Sequence, residues 1–546
     1  MSYTAHIDDF AFRNLPPREQ WPQLIFEQPE LQYPQRLNCA TELLDRAIDR
    51  GWGERAAILA PDGVRWSYRQ LLDKASRIAR VLVEDLGLVP GNRVLLRGPN
   101  HPMLAACWFA VMKAGGIAVT TMPLLRAREL TDIVTKAAIS HALCDARLDA
   151  DLNAALPMCP TLERVALFGG EGETEVDALL QRKSPTFDNV ETAAEDTCLI
   201  AFTSGTTGKP KGTMHFHRDV LAACDCWPRS TLRASPNSLF TGSPPLGFTF
   251  GLGGLLLFPM RIGASTLLVE KPTPDALLEA IARHHADVLF TAPTSYRAMA
   301  AKVDQFDVSA LKKCVSAGEA LPAATRKLWK DATGIEIIDG IGATEMLHIF
   351  ISHDEQHAKP GATGKPVPGY RASVMDDAGR ALPPGRIGRL AVIGPTGCRY
   401  LADPRQTQYV KQGWNYTGDA YLVDDEGCFV FQARTDDMII SAGYNIAGPE
   451  VEGVLLAHPA VSECGVVGVD DPERGQIVKA FVVLKPGHEA CVSLASELQD
   501  FVKREIAPYK YPRAIEFVAN LPRTETGKLQ RFRLRQMAAA KDGVPR

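Results

Sequence analysis

The chain has 546 residues, of which 46% are hydrophobic and 23% are charged, and its formal net charge is −4. A chain of this length exceeds one compact core, so at least two domains are expected. The composition is that of a globular protein, and the net charge argues against a protein built mainly to bind nucleic acid. From Lys503 to Arg546 there are eleven Lys or Arg and four Asp or Glu. This surplus of seven positive charges is compatible with a solvated tail and also with a surface that contacts phosphate groups.

The cysteines and the apolar runs favour a cytoplasmic protein without a membrane partner. The twelve cysteines lack the spacing of a zinc or redox pair, and free thiols in a large chain fit a reducing compartment. The first residues lack the basic-then-apolar pattern of a secretion signal. The longest apolar run, residues 103–119, is broken by Lys113 and two glycines. It predicts a buried helix followed by a strand rather than a membrane span.

Alternation of helices and short apolar strands predicts an α/β fold. Residues 1–36 lack periodicity and are expected to wrap over the folded body. Ser67 and Gln70 have capping-box spacing at the start of an amphipathic helix that Gly87 ends. Apolar runs of strand length follow at residues 93–98, 117–121, 141–145, 164–169, 198–203, 265–270 and 287–292. This order predicts largely parallel sheets covered by helices.

The pattern changes twice further along the chain. After about residue 360, short strands separated by Gly and Pro predict a small β-rich subdomain. After residue 433, two helices and three strands predict an α+β unit of about 110 residues, which is long enough to fold as a domain. We therefore expect an N-terminal domain over residues 1–433, a hinge over 434–436 and a mobile C-terminal domain over 437–546.

The segment TSGTTGKPKG, residues 203–212, has the composition of a phosphate-binding loop. It follows an apolar strand and precedes a helix predicted to start near His215. Successive backbone N–H groups in a glycine-rich turn form a concavity that binds anions. The glycines of the turn are Gly205 and Gly208, and Gly212 ends the segment. The hydroxyl and ammonium groups belong to Thr203, Ser204, Thr206, Thr207, Lys209 and Lys211.

Three other interpretations of this loop fit less well. A flexible linker would not interrupt a buried α/β pattern. A Walker A loop needs four residues between its glycines and a hydroxyl residue after its lysine, whereas two residues separate Gly205 from Gly208 and Pro210 follows Lys209. A dinucleotide fingerprint needs G-x-G-x-x-G at a helix start, and this segment lacks it.

The loop resembles the signature of the adenylate-forming superfamily, which contains acyl-CoA synthetases, luciferase-like enzymes and peptide-synthetase adenylation domains. Five further segments in the same order extend the resemblance over nearly the whole chain: SAGEAL, DGIGATE, YTGD, RTDDMIISAGYNI and LPRTETGKLQR. The run DGIGATEMLHIFIS is similar to the benzoate–CoA ligase branch. Within that branch, LPPREQWPQ and the whole-chain character look most like 2-aminobenzoate–CoA ligases.

The resemblance implies the residues that would bind ATP and Mg²⁺. The adenine-flanking turn would contain Gly318, Glu319 and Ala320, and the following segment would supply Asp339, Gly340, Ile341, Gly342, Thr344 and Glu345. Thr344 and Glu345 would hold phosphate and Mg²⁺, Asp419 and Arg434 would contact the ribose, and Lys528 would be the catalytic lysine of adenylation. Ile341 stands where many relatives carry an aromatic residue against adenine.

The resemblance also implies a reaction. ATP would convert a carboxylate into an acyl-adenylate, and CoA would then take the acyl group after the C-terminal domain swings about Asp436. Gly443 and Tyr444 would lie at the pantetheine tunnel. Two alternatives remain: an enzyme that loads a separate acyl carrier protein, and an adenylate-binding protein without catalysis. Retention of Lys528 together with its partners argues against the last. A monomer and a homodimer are both compatible with the sequence.

The acyl pocket is expected to be apolar and aromatic, which suits a flat ring better than acetate. By position it would contain Cys226, Phe248, Phe250, Ile341, Leu347 and His348. His348 would either contact an ortho substituent or pack. Asp225 is expected to be a solvated residue at a helix end, with acceptance of a hydrogen bond from a ring amino group as the alternative.

Overall fold

The structure is a computed structural model that describes residues 3–169, 174–203, 210–441, 444–524 and 528–541. Numbered in chain order, its strands are β1 Ala56–Leu59, β2 Arg65–Ser67, β3 Arg93–Arg97, β4 Ile117–Thr121, β5 His141–Asp145, β6 Arg164–Phe168, β7 Thr197–Thr203, β8 Lys211–Phe216, β9 Leu239–Gly242, β10 Ser265–Leu267, β11 Val288–Thr291, β12 Lys313–Ser316, β13 Ile337–Gly342, β14 Ile349–Ser352, β15 Lys365–Pro366, β16 Arg371–Met375, β17 Gly388–Ile393, β18 Val410–Lys411, β19 Trp414–Val423, β20 Phe429–Arg434, β21 Ile439–Ser441, β22 Tyr444–Ile446, β23 Val461–Asp471, β24 Gly475–Leu484 and β25 Ala514–Phe517.

The helices are α1 Phe10–Arg13, α2 Arg46–Asp49, α3 Tyr68–Arg80, α4 Pro102–Lys113, α5 Ala127–Ala137, α6 Asp149–Ala155, α7 Glu175–Leu180, α8 His217–Asp225, α9 Thr249–Leu252, α10 Phe258–Ile262, α11 Pro274–His284, α12 Pro293–Ala300, α13 Ala323–Thr333, α14 Gln406–Tyr409, α15 Gly448–Ala457, α16 Val492–Glu505 and α17 Arg531–Lys541.

Two parallel-rich sheets form most of the N-terminal body. One has the strand order β6-β5-β3-β4-β7-β8, and the other has the order β15-β14-β13-β12-β11-β9-β10-β1-β2. In the first sheet β3, β4, β5, β6 and β7 pair in parallel, and β8 is antiparallel to β7. In the second, β1, β9, β10, β11, β12 and β13 are parallel. The predicted α/β class is confirmed.

Helix α3 and helix α4 form as the sequence predicts. The Ser67 hydroxyl accepts from the Gln70 N–H, and the Gln70 side chain accepts from the Ser67 N–H, which completes the capping box. Gly87 follows the helical region with a φ of +71°. Helix α4 is buried along its whole length, and the Lys113 ammonium pairs with Asp45 at 2.6 Å. The apolar run is therefore a core helix followed by β4.

The glycine-rich loop connects two strands rather than a strand and a helix. Strands β7 and β8 are antiparallel, and Thr203 pairs with Lys211 across the open end of the hairpin. The helix expected near His215 begins instead at His217. The prediction was wrong because residues 212–216 are all buried on an extended strand, and a mixed segment of five residues has no periodicity that separates a strand from a helix.

Smaller sheets follow, as the change of pattern predicts. Strands β16-β17-β19-β18 form an antiparallel sheet in which β20 pairs with β19. Beyond it, strands β22-β21-β24-β23 form a sheet in which β25 pairs with β24. Helices α15 and α16 pack on this last sheet through an apolar cluster that includes Val451, Leu455, Leu498 and Val502. The C-terminal segment thus has a core of its own.

Candidate active site

A strained turn after β13 carries the Thr344–Glu345 pair. Residues Thr344–Met346 form one turn of 3-10 helix, and Leu347 follows with a φ of +68°. A residue with a side chain adopts this backbone region at a cost of roughly 1–3 kcal/mol, and such strain clusters at functional sites. The turn places Glu345 among polar groups and His348, three residues later, among aromatic rings.

Glu345 is connected to the glycine-rich hairpin. The Tyr400 hydroxyl donates to Glu345 Oε1 at 2.5 Å, and the Lys211 ammonium donates to the Tyr400 hydroxyl at 2.9 Å. Lys211 Nζ lies 3.7 Å from the same carboxylate oxygen. His215, further along β8, donates through Nε2 to the Thr344 carbonyl at 2.9 Å. Strand β8 therefore fixes the position of the Thr344–Glu345 turn at two points.

Only the two ends of the predicted phosphate loop can be placed. Ser204, Gly205, Thr206, Thr207, Gly208 and Lys209 lie outside the described residues. Thr203 ends β7, and its hydroxyl is buried without a hydrogen-bond partner among the residues described. Lys211 begins β8 beside Glu345. The Lys211 end of the loop thus lies next to the carboxylate that the family resemblance assigns to Mg²⁺.

Two strands bring the predicted ribose contacts together. Asp419 on β19 is directly opposite Arg434 on β20. The guanidinium donates to Asp419 Oδ1 at 2.9 Å and to the Thr417 carbonyl at 3.1 Å. The Asp419 charge, opposed by burial, raises the pKa of Arg434. The Arg434 side chain remains half exposed, so it is oriented but accessible.

Lys528 reaches this site from the C-terminal segment. A Cβ atom at Gly318 would lie 3.7 Å from Lys528 Cε. Desolvation lowers the pKa of the Lys528 ammonium, and the charge of Glu319 opposes that shift most strongly. By accessible surface, Lys528 as a whole is exposed. Arg523 Nη1 also approaches Glu319, at 3.8 Å.

The charges of other predicted site residues act on the ammonium of Lys528. Its pKa responds to charges from three other segments of the chain, carried by Arg434, Asp419 and Glu345. These residues are separated by tens to hundreds of positions in sequence, and each was predicted from a different motif. Their charges act together on the pKa of this one ammonium group.

The remaining nucleotide residues lie on β13 and the turn after β12. Asp339 is buried, and desolvation raises the pKa of its carboxyl to about 7. Gly340 and Gly342 have no room for a side chain, because a Cβ would lie 2.8 Å from Ile349 Cγ2 and from the His348 carbonyl oxygen, respectively. Ile341 is half-buried between them, and Ala320 is exposed.

An aromatic cluster surrounds His348. The centroid of its ring lies 4.5 Å from that of Phe258, in an edge-to-face arrangement. The centroids of the Phe250 and Trp227 rings lie 5.6 and 5.7 Å away. Gly253 makes this packing possible, since a Cβ there would lie 2.4 Å from His348 Cδ2. Of the other predicted pocket residues, Phe248 is half-buried and Leu347 is buried beside His348.

His348 has one satisfied and one unsatisfied nitrogen. Nε2 donates to the Phe250 carbonyl at 3.3 Å, whereas Nδ1 is buried without a partner among the described residues. Desolvation lowers the pKa of the imidazole to about 3, so the ring is neutral at physiological pH. With the proton on Nε2, Nδ1 is a hydrogen-bond acceptor. The cluster therefore holds one acceptor surrounded by rings.

The expectation that Asp225, at the end of α8, is solvated was wrong. Asp225 is 6% exposed rather than solvated, because Arg261 donates to both of its carboxylate oxygens at 2.8 Å and the Tyr33 hydroxyl donates at 2.8 Å. Cys226 directs its sulfur toward Gly369, where a Cβ would lie 3.0 Å away. The ring contact with His348 comes from the next residue, Trp227.

The structure describes two of the three predicted hinge and tunnel residues, Asp436 and Tyr444. Asp436 is exposed in a short turn after β20, and its neighbour Asp437 pairs with Arg535 at 2.6 Å. Gly443 lies outside the described residues. Tyr444 is 53% exposed and stacks on Tyr509 with the ring centroids 4.4 Å apart.

Both parts of the chain match one enzyme family. Residues 44–400 match the AMP-binding enzyme family, and residues 450–528 match the AMP-binding enzyme C-terminal domain. The chain belongs to the AMP-binding enzymes. The first match alone spans more than half of the sequence, and it contains the hairpin, the Thr344–Glu345 turn and the aromatic cluster.

Relatives of this AMP-binding enzyme match it over nearly its full length. Benzoate–CoA ligase of Thauera aromatica is 38% identical over 516 residues, which cover 93% of this chain and 97% of the relative. The crystal structure of the anthranilate CoA ligase AuaEII in complex with anthranoyl-AMP superposes with a TM-score of 0.90 at 34% identity, covering 95% and 100% of the two chains. A benzoate CoA ligase from Burkholderia xenovorans LB400 gives 0.83 at 32% identity, covering 91% and 99%.

These findings establish the enzyme class. The AMP-binding enzyme is an AMP-forming acid–CoA ligase, and adenylate-forming CoA ligases use ATP, Mg²⁺ and CoA. Among the residues that the structure describes, none of the helices combines the length and the apolar character needed to cross a membrane.

Three residues of the site were not predicted from the sequence. Tyr400 donates a hydrogen bond to Glu345, and His215 donates one to the Thr344 carbonyl. Trp227 packs against His348. His215 carried a weak signal, because it is a polar residue within a strand that is buried from Gly212 to Phe216. Tyr400 and Trp227 carried none, since their partners are distant in sequence.

Proposed function

We propose that this enzyme is an aryl-acid CoA ligase whose preferred acid is 2-aminobenzoate. The observation that carries the proposal is the unpaired, buried Nδ1 of His348 inside the aromatic cluster. A flat ring matches Phe250 and Trp227, and an ortho-amino group has the N–H donor that a neutral imidazole nitrogen accepts. The likeness to an anthranilate CoA ligase that binds anthranoyl-AMP supports this choice of acid.

In the proposed first step, a carboxylate oxygen attacks the α-phosphate of ATP, the bond to pyrophosphate breaks, and an acyl-adenylate forms. Both reactants are anionic, so preorganised positive charge at the α-phosphate lowers the barrier. Lys528 supplies an ammonium whose pKa also responds to the charges of Asp419, Arg434 and Glu345. Its partial desolvation strengthens its interaction with charge that develops in the transition state.

The Mg²⁺ that accompanies ATP fits the groups beside the hairpin. Glu345 offers a carboxylate, and the buried Thr203 hydroxyl has no partner among the residues described. Hard oxygen donors of this kind suit Mg²⁺. When bound there, the ion would neutralise phosphate charge. Tyr400 and Lys211 hold Glu345 in place.

In the proposed second step, the CoA thiol attacks the acyl carbon and AMP leaves. In the C-terminal part of the chain, the exposed rings of Tyr444 and Tyr509 stack on each other. Two residues after Tyr509, the ring of Tyr511 has the Lys503 ammonium 4.4 Å and the Arg513 guanidinium 4.9 Å from its centroid. Exposed rings with cations suit a nucleotide, through stacking and phosphate pairing. We propose that this face of the C-terminal domain receives CoA after rotation about Asp436.

Cytoplasmic location is part of the proposal. All twelve cysteines are free, and eleven of them are buried. Free thiols in these numbers are typical of a reducing compartment.

The test is pyrophosphate release with ATP and Mg²⁺ across 2-aminobenzoate, benzoate, hydroxybenzoates, phenylacetate and acetate, with and without CoA. We expect turnover that requires both an aryl acid and CoA, with the highest kcat/KM for 2-aminobenzoate. A higher kcat/KM for benzoate would refute the preferred acid while leaving the aryl-acid ligase intact. A single burst of pyrophosphate that CoA does not convert into turnover would indicate a carrier protein as acceptor.

A further inference from the structure

A cavity of about 250 Å³ lies behind the aromatic cluster. Part of its wall is apolar and is formed by Leu232, Phe240 and Phe258. The other part carries the guanidinium groups of Arg229, Arg233 and Arg261 and the carboxylate of Asp225. Arg229 and Arg233 are about half exposed, so the cavity opens toward solvent on its charged side.

Phe258 belongs to this cavity and to the acyl site at once. It lines the cavity, and its ring meets His348 edge-to-face at 4.5 Å. A Cβ at Gly253 would lie 2.4 Å from His348 Cδ2 and 2.9 Å from Phe258 Cζ, so the tip of Phe258 and the edge of His348 meet over Gly253. One phenyl ring therefore separates the cavity from His348.

We infer that Phe258 is the partition that limits the size of the acyl substrate, and that the cavity behind it is a latent extension of the acyl pocket. This inference rests on the proposed function, because it requires His348 to lie in the acyl pocket. The extension suits aryl acids with a rigid, distal anionic substituent, since its lining residues include three arginines and one aspartate, and the acidic partners of Arg229 and Arg233 are not among those lining residues. Each guanidinium already has a carboxylate partner, and Arg233 is the most exposed of them, beside Asp354.

The experiment compares wild type with Phe258→Ala on benzoate, biphenyl-4-carboxylate and biphenyl-4,4′-dicarboxylate. We expect the kcat/KM of both biphenyl acids, relative to benzoate, to rise at least about tenfold in the variant, because pocket size discriminates on that scale. The dicarboxylate is expected to gain more than the monocarboxylate, and Arg233→Ala in the Phe258→Ala background is expected to remove that difference. Leu232→Trp in the same background refills the cavity and is expected to reverse the gain.

The inference is overturned if folded Phe258→Ala turns over benzoate with unchanged relative kcat/KM for the biphenyl acids. It is also overturned if the gain survives Leu232→Trp. Thermal unfolding establishes whether the variant is folded. Should alanine prevent folding, Phe258→Leu opens the partition less and is expected to give a smaller gain of the same sign, and no gain would overturn the inference.

The same assays separate this inference from the proposed function. If benzoate is preferred to 2-aminobenzoate while Phe258→Ala still admits the biphenyl acids, the partition stands and the proposed substrate does not. Absence of aryl-acid turnover in wild type would refute the proposed function, and the partition with it.

Discussion

Replacing His348 with Phe tests the assignment of the acyl substrate most directly. The substitution keeps an aromatic ring among Phe250, Phe258 and Trp227 but removes the Nδ1 acceptor. It also removes the 3.3 Å hydrogen bond from Nε2 to the Phe250 carbonyl, and this loss is expected to lower the kcat/KM of both substrates by the same factor. Only the acceptor distinguishes 2-aminobenzoate from benzoate.

The size of the effect follows from the burial of Nδ1. A neutral hydrogen bond contributes about 0.5–1.5 kcal/mol, and leaving a buried acceptor unpaired costs about 1–3 kcal/mol. An amino group that donates to Nδ1 recovers part of the cost of leaving this acceptor unpaired. We therefore expect 2-aminobenzoate to be preferred to benzoate by about 2 kcal/mol, which corresponds to about thirtyfold in relative kcat/KM. Because burial lowers the pKa of His348 to about 3, the acceptor is present throughout the neutral range and its contribution does not titrate there.

The assay is CoA-dependent pyrophosphate release, with the kcat/KM ratio of 2-aminobenzoate to benzoate as the result. We expect the ratio to fall about thirtyfold in His348→Phe, in line with the estimate above. The matched control is His141→Phe, because His141 is another buried histidine, bonded to the Leu86 carbonyl at 3.0 Å on β5. An unchanged ratio in His348→Phe, or an equal fall in the control, would refute the role of Nδ1.

Three further predictions concern the nucleotide site. Lys528→Ala is expected to lower adenylate formation by at least about 100-fold while largely sparing thioester formation from a preformed adenylate; equal loss of both half-reactions would contradict its role. Tyr400→Phe removes the donor to Glu345 and is expected to weaken binding of Mg²⁺–ATP about tenfold, measured by calorimetry; unchanged affinity would contradict the positioning role. Burial raises the pKa of Asp339 from 3.8 to about 7, so the folded state retains a proton that the unfolded state releases, and stability falls as pH rises through that window. Asp339→Asn should remove this fall, so its melting temperature should gain on that of wild type between pH 4 and pH 7; a constant difference would contradict the assignment.

Much of the site could be predicted because its residues stand in short ordered motifs. Asp419, Arg434 and Lys528 each stand in such a motif, and the structure joins the first two by a hydrogen bond. The α/β class and the capping box at Ser67 were equally accessible, since they depend on local periodicity and spacing.

The remainder depends on contacts between distant segments. Tyr400 is 55 positions from Glu345, and nothing around it in sequence indicates a hydrogen bond to that carboxylate. Asp225 looks like a solvated helix end until Arg261, from a later helix, is placed against it. Trp227, the residue that packs on His348, lies two positions after the end of α8. Its direction depends on where that helix ends, and helix ends are the least predictable part of a helix.

The contact between Glu319 and the C-terminal segment is made by charges with partial access to water. Arg523 approaches Glu319 at 3.8 Å, with 28% and 19% of the two side chains exposed. The Debye length shortens from about 8 Å at 0.15 M salt to about 3 Å at 1 M, so concentrated electrolyte screens such attractions. Ionic strength should therefore act as an external control on docking of the C-terminal domain. Adenylation and thioester formation, measured separately across a salt series, would then respond with different slopes.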